Sequence, residues 1–441
     1  MTTIGYLVPN WPTQTHAFFW REIEAIRATG GVVRLYSTSR PAVDACRHEF
    51  APDARRQTHY LHPPHILGAL ALLATSPRRL VAALAYVLRL RDARVLDRLQ
   101  VLAMLGSAAD LAAHTARHGI THVHAHSCGN SAHLLALASR LGKLRYSLTL
   151  HGDLEVYGGD HRAKMQGARF VAAVTRPLQA QVTAISALTP DRVPLIPMGV
   201  DTTAFTAAAR PACAGVLHLV TVARLNPTKG HRFVLAAIRQ AVARGLDVHY
   251  SVAGDGPAYA AIMADIAAYG LGDRVTLLGS LGERAILGLL RRADAFVLAS
   301  IGLGEAAPVS VMEAMSCGLP VICSRIGGTT DMMTHGVDGW LVDQADVDGL
   351  AAAIEALARD VELRERLGTA ARVRAVEAFD HRIMADRLLA AIAGSVAGGS
   401  SPADAPARSA SPRSAGPRSA SHCPASHCPV GPAAIQSVSA R

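Results

Sequence analysis

Long hydrophobic runs are absent from this sequence of 441 residues. The most apolar stretch, Ile66 to Thr75, has about half the length that crosses a bilayer, so no transmembrane helix is expected. The opening MTTIGYLVPNWP lacks a basic segment followed by an apolar one, so no secretory signal is expected either. Cysteine is sparse. Cys46, Cys128, Cys213, Cys317 and Cys323 are scattered singly, Cys423 and Cys428 lie near the C-terminus, and no C-x-x-C occurs. That pattern suits a reduced cytoplasm rather than a disulfide-built fold. Aromatics are only 5%, so Ala, Leu and Val must supply the core. Charged residues are 18% and hydrophobic ones 50%, which excludes disorder throughout, because such a chain buries enough apolar surface to offset its ordering entropy. Ordinary glycine and proline counts (37 and 23) exclude a collagen-like or low-complexity chain.

Certain motifs are missing too. There is no G-x-x-x-x-G-K-[ST] phosphate loop. Neither strand–helix start shows G-x-G-x-x-G with an acidic residue about 20 positions on, which disfavours a dinucleotide oxidoreductase. The net charge of +10 suits an anionic partner, whether nucleic acid, lipid or phosphorylated small molecule. Without a nucleic-acid recognition module, no nucleic-acid partner is expected.

What is present alternates. Residues 1 to about 60 open with a strand (Ile4 to Val8), a helix (His16 to Ala28) and a strand (Val32 to Ser37), a βαβ start that implies a parallel sheet. Residues 63–118 show no strand pattern and read as two or three helices (LGALALLA, LVAALAYVLRL, VLDRLQVLAML) dense in arginine. They are either a packed helical insertion or an apolar and basic surface for anionic lipid. Strands resume with THVHAH, YSLTLHG, FVAAVT and VPLIPMGV. A second series follows with LHLVTVAR, VHYSVAGDG, RVTLLGSL, AFVLAS, PVICS and GWLVD. Two such series predict two doubly wound α/β domains, residues 1–200 and 201–395, with a hinge near Pro197 to Phe205 and closing helices over 347–395. Residues 396–441 are rich in Ala, Ser, Pro and Arg and are expected to be disordered. Their tandem ASHCP repeats are not expected to hold a metal without a fold behind them.

Three constellations carry the chemistry. In GEAAPVSVMEAMSCGLP (Gly304 to Pro320), Glu305 follows a strand, and Glu313 lies inside a helix that begins near Pro308. Free N–H groups at that helix start, flanked by two carboxylates, suit a hydroxyl-rich or anionic ligand. In VARLNPTKG (Val222 to Gly230), Arg224 and Lys229 project from a strand-to-helix loop and would neutralise a leaving diphosphate. In LTLHGD, His151 ends a strand of the first series and faces the inter-domain cleft, where a neutral imidazole can donate to or accept from a hydroxyl. AGDGP and VTLLG, with Gly254 and Leu278, would line a nucleobase pocket by backbone contacts.

Taken in this order, the five segments resemble the retaining glycosyltransferases of family 4, which have the GT-B fold. The resemblance spans about residues 3–395. The opening YLVPNWPTQTHAFFWREIEAI is similar to the subgroup that builds exopolysaccharides such as colanic acid. By that resemblance Glu305 holds the donor sugar, Glu313 the ribose, and Arg224 and Lys229 the diphosphate. Amides from Ala306 through Ala307 and Pro308 to Val309 line the sugar or phosphate, and His151 bonds the sugar near the reacting face. Thr15, His16 and His126 fall on the acceptor side. Two positions depart from the family: Ala306 stands where glycine is usual, and Gln14-Thr15-His16 with Phe18-Phe19 replaces a Ser-Glu-Thr-Phe loop. The resemblance implies two Rossmann-like domains facing across a cleft, a nucleotide-diphospho-sugar as substrate, no separate cofactor and no metal. The acceptor would be a saccharide or a polyprenyl-linked saccharide. The protein would be cytoplasmic, or peripheral on the inner face of the cell membrane at an anionic surface. Rival expectations are a sugar-nucleotide 2-epimerase of the same architecture and a non-catalytic sugar-nucleotide-binding protein.

Overall fold

A computed structural model describes residues 3–65, 77–208, 215–302 and 305–397. The LGALALLA helix, Gly304 and the tail beyond residue 397 lie outside them.

Two parallel sheets organise the chain. The first comprises β1 (Thr3–Leu7), β2 (Val32–Ser37), β3 (Thr58–Tyr60), β4 (His122–Ala125), β5 (Arg145–Leu150) and β6 (Val171–Ala173), in the order β3-β2-β1-β4-β5-β6. The second comprises β7 (Val216–Val222), β8 (Asp247–Ala253), β9 (Val275–Leu277), β10 (Ala295–Leu298), β11 (Val321–Ser324) and β12 (Trp340–Val342), in the order β12-β11-β10-β7-β8-β9. Both follow the same doubly wound winding, which reverses direction between β1 and β4 and again between β7 and β10. Loops leaving adjacent strands at such a reversal go to opposite faces and open a crevice at the strands' carboxyl ends.

Helices cover both faces, so the strands are apolar on both sides, as in AFVL of β10, which is buried throughout. The polar exception is HVHA of β4. Its buried His122 and His124 are matched by β5 next door: His122 Nε2 is 2.8 Å from Ser147 Oγ, and His124 contacts Ser147 Oγ at 2.7 Å and Thr149 Oγ1 at 2.9 Å. Both ring nitrogens of His124 are thus paired, whereas the buried Nδ1 of His122 has no partner.

The structure differs from the sequence expectation in places. Residues 193–200 (VPLIPMGV) join no named strand and make only isolated bridges, Ala173 to Leu195 and Val200 to Asp380. Pro194 and Pro197 remove the N–H groups that a ladder needs. The edge strand β3 and the short helix Ala51–Gln57 were not legible. The arginine-dense region holds helices Pro77–Leu88, Val95–Ala103 and Leu105–Arg117. The last helix, His381–Ala397, returns to the first sheet: Met384, Ala385, Leu388 and Ile392 pack with Ile4, Phe19, Ile23 and Ile26. Among the described residues no helix is long and apolar enough to cross a membrane.

Candidate functional site

The reversal points of the two sheets face each other across a cleft of about 600 Å³. Strand β7 delivers the loop with Arg224 and Lys229. Strand β10 delivers Glu305 and the helix Val309–Ser316, whose start at Pro308 has no side-chain cap. Opposite them, β4 delivers His126, β5 delivers His151, and the loop after β1 delivers Thr15 and His16. Gly254, Ala306, Ala307, Pro308, Val309 and Glu313 also line the cleft. Leu278 is not among the residues lining the cleft: it is exposed, and its N–H donates to the Val252 carbonyl at 2.8 Å.

Lys229 Nζ donates to Glu305 Oε2, and Ser300 Oγ donates to the same oxygen at 3.0 Å. One carboxylate is therefore anchored at the mouth of the cationic loop. The loop itself is tied down, because Ile301 N–H donates to the Thr228 carbonyl at 2.8 Å. Turn geometry also requires two glycines here. Gly230 has φ +70°, and a Cβ there would lie 1.7 Å from the Ala299 carbonyl oxygen. Gly327 has φ +54°, and a Cβ there would lie 1.8 Å from the Glu305 carbonyl oxygen. Close backbone approach thus sets both Lys229 and Glu305 in place.

A histidine pair lies in the opposite wall. His126 Nδ1 is 3.1 Å from His151 Nε2, with the rings stacked at 5.3 Å. Phe18 and Phe19 present their rings edge-on to His151 at 5.3 and 5.4 Å. Burial pushes both imidazoles down to about 3, each further opposed by a neighbouring histidine, so both are neutral near pH 7. His16 is pushed down to about 4 by burial and by the Arg224 charge across the cleft. Glu22 lies behind this pair. It accepts from Tyr6 Oη at 2.7 Å, its Oε1 is 3.2 Å from His126 Nε2 although off line for a hydrogen bond, and burial raises its carboxyl above the usual range. It does not line the cleft.

Sequence reasoning missed the contacts that join the halves. Arg21 is buried and donates from Nη2 to Glu313 Oε1 at 2.7 Å and to Glu283 Oε2 at 2.9 Å, while its guanidinium lies 4.7 Å from the Phe205 ring centre. Gln14 Nε2 donates to the Leu281 carbonyl at 2.8 Å. Tyr157 also lines the cleft, and its hydroxyl oxygen accepts from the His151 N–H at 2.9 Å. A buried arginine in the helix WREIEAI was the one available signal, since an arginine is rarely buried unless paired.

Paired doubly wound sheets with a cleft between their reversal points define the GT-B fold. Solved structures agree. HepE of Anabaena, in complex with UDP and glucose, matches with a TM-score of 0.68 at 18% identity, over 89% of this chain and 100% of its own. Sucrose-phosphate synthase of Thermosynechococcus elongatus matches at 0.69 and 18%, over 90% and 100%. At these identities the likeness is one of fold. Residues 215–374 match the family described as glycosyl transferases group 1. The chain is similar to WcaL of Salmonella typhimurium, a protein named for colanic acid biosynthesis, at 33% identity over 46% of this chain and 51% of the relative. It is also similar to the amylovoran biosynthesis glycosyltransferase AmsK of Erwinia amylovora, at 33% over 37% and 41%. It spans about half or less of the length of these relatives.

Proposed function

We propose that this chain is a retaining glycosyltransferase of exopolysaccharide or cell-surface polysaccharide synthesis. It moves a hexose from a nucleotide-diphospho-sugar to a saccharide or lipid-linked saccharide. One observation carries the proposal: Arg224, Lys229, Glu305 and Glu313 of one half face His126 and His151 of the other across a shared cleft. The group 1 family match, the names of WcaL and AmsK, and the UDP and glucose held by HepE support it.

In this reading the bond from the anomeric carbon to the diphosphate oxygen breaks, and the acceptor oxygen bonds the same face of that carbon. The departing phosphate oxygen takes the hydroxyl proton. Arg224 and Lys229 offset the charge that builds on the phosphate, and a partly enclosed cleft strengthens that effect. Glu305 orients the sugar hydroxyls, Glu313 holds the ribose, and His151 bonds a sugar hydroxyl as a neutral imidazole. Among the described residues lining the cleft, the first half contributes no carboxylate. That favours front-face transfer over a covalent glycosyl-enzyme.

The test is calorimetric titration of the full chain with UDP-, GDP- and ADP-sugars, followed by incubation of the bound donor with and without a saccharide acceptor. The expected result is binding of one nucleotide class and transfer with the anomeric configuration kept, read by NMR. Conversion of donor without acceptor would replace the proposal with an epimerase. Binding without either reaction would leave a non-catalytic binding protein. No affinity for any sugar nucleotide would overturn the proposal outright.

A further inference from the structure

We propose that His59, His65 and Asp110 form a binding site for a first-row divalent metal ion, Zn²⁺ by its donor set, at the outer edge of the first sheet. None of the three lines the cleft, so the site is independent of the transferase reading. His59 lies on the edge strand β3, His65 on the loop that follows it, and Asp110 on the helix Leu105–Arg117. One ligand atom from each lies within 4.8 Å of the others.

Two separate observations point to a cation. The first is spacing. His59 Nε2 is 3.2 Å from Asp110 Oδ2. Around a tetrahedral Zn²⁺ with bonds of about 2.0–2.1 Å, neighbouring ligand atoms lie about 3.3 Å apart. The pair is hydrogen-bonded here at the span of one edge of that tetrahedron, and a ligand atom of the exposed His65 lies within 4.8 Å of both. The second is an unmet charge. Asp110 is fully buried at 0% exposure, and its Oδ1 has no hydrogen-bond partner. Its other oxygen accepts from the His65 N–H at 3.1 Å and pairs with His59 Nε2 at 3.2 Å. A buried carboxylate oxygen left unpaired is costly, and an ion that Asp110 holds through both oxygens removes that cost.

The surroundings are those of a braced ligand. The His59 ring stacks between His65 at 5.0 Å and His114 at 4.1 Å. His114 is one helical turn beyond Asp110, and its Nδ1 is 2.9 Å from Tyr36 Oη. Such outer contacts fix ring orientation around a metal. Two imidazoles and a carboxylate leave a fourth position for water. The ion would tie β3, which has a strand neighbour on one side only, and its following loop to the helix behind it.

The experiment uses the full chain without a histidine tag, stripped with chelator and titrated with Co²⁺ and then Zn²⁺. Wild type is compared with His65→Ala and Asp110→Asn. The C-terminal His-Cys pairs are present in all three proteins, so any binding there cancels. The expected result is one more equivalent of Co²⁺ in wild type than in either variant, with a visible d–d band stronger than that of the variants. Zn²⁺ should raise the Tm of wild type more than that of either variant, and its affinity should fall in His65→Ala by more than the roughly 10–100-fold that loss of an outer-shell partner costs. His65 is exposed, so its loss leaves the fold intact even if Asp110→Asn does not fold. Equal stoichiometry and affinity in wild type and His65→Ala would overturn the proposal.

Discussion

Glu313 is claimed twice: Arg21 holds it in this structure, and the donor ribose is expected to bind it. The pair is nearly dry, with side-chain exposures of 7% and 9%. Removing one partner of a buried pair strands the other charge, so Arg21→Ala should lower stability by about 3–5 kcal/mol in urea unfolding. Adding Glu313→Gln to that variant should recover part of the loss, because the stranded charge is gone. A double variant no more stable than Arg21→Ala would show that the arginine acts through packing on Phe205 instead. The cationic loop gives a different expectation. Lys229→Met or Glu305→Gln should lower kcat/KM for sugar transfer about 10²–10³-fold, the range seen when one donor to a developing negative charge is removed. The unfolding midpoint should move less than in Arg21→Ala, since the side chains of Lys229 and Glu305 keep 25% and 12% of their surface exposed. Unchanged turnover in both variants would remove the assignment. Lys229 and Glu305 were legible because each sits in a short motif at a strand end. Arg21 was not, because its partner Glu313 is 292 positions away.

Among the elements, the turn at Gly230 matters most to the site. Its φ of +70° and the Ala299 carbonyl beside it leave no space for a side chain. Gly230→Ala should therefore cost more than about 1 kcal/mol and lower transfer as well, since Lys229 must shift with the loop. A variant with wild-type Tm and turnover would contradict this. The helices Pro77–Leu88 and Val95–Ala103 present another feature. Leu88, Val95 and Leu96 are 72, 75 and 78% exposed, beside the exposed Arg89, Arg91 and Arg94. Apolar side chains among arginines suit the headgroup region of an anionic bilayer. Co-sedimentation with phosphatidylglycerol vesicles should exceed that with neutral ones and fall with salt. Leu96→Asp together with Arg89→Glu and Arg91→Glu should abolish it. Equal recovery of the triple variant would assign the patch to another partner. The strand–helix alternation itself was readable from apolar runs and turn residues. The segment 193–200 misled because its apolar residues suggest a strand, while its two prolines prevent one.

For the whole molecule, buried histidines set the response to acid. Burial holds His16, His122, His133 and His231 down at about 4, and His126 and His151 at about 3. In the unfolded chain each titrates near 6.5. Below that pH the unfolded state takes up protons that the native state refuses, so stability falls as pH drops from about 6.5 toward 4. Each residue contributes up to about 1.4 kcal/mol per pH unit within its window. The urea midpoint should therefore decrease steeply between about pH 7 and pH 5, whereas a flat profile would mean that these rings are solvated in the native protein.

By itself the sequence determined two doubly wound sheets and the short motifs at their strand ends, because hydrophobic period, turn residues and strand-end loops are local properties of a chain. Only the tertiary structure decided that Arg21 reaches Glu313, that Leu278 stays outside the cleft, and that the final helix closes back on the first sheet. Those outcomes depend on packing and charge pairing between residues far apart in sequence, and no local pattern records them.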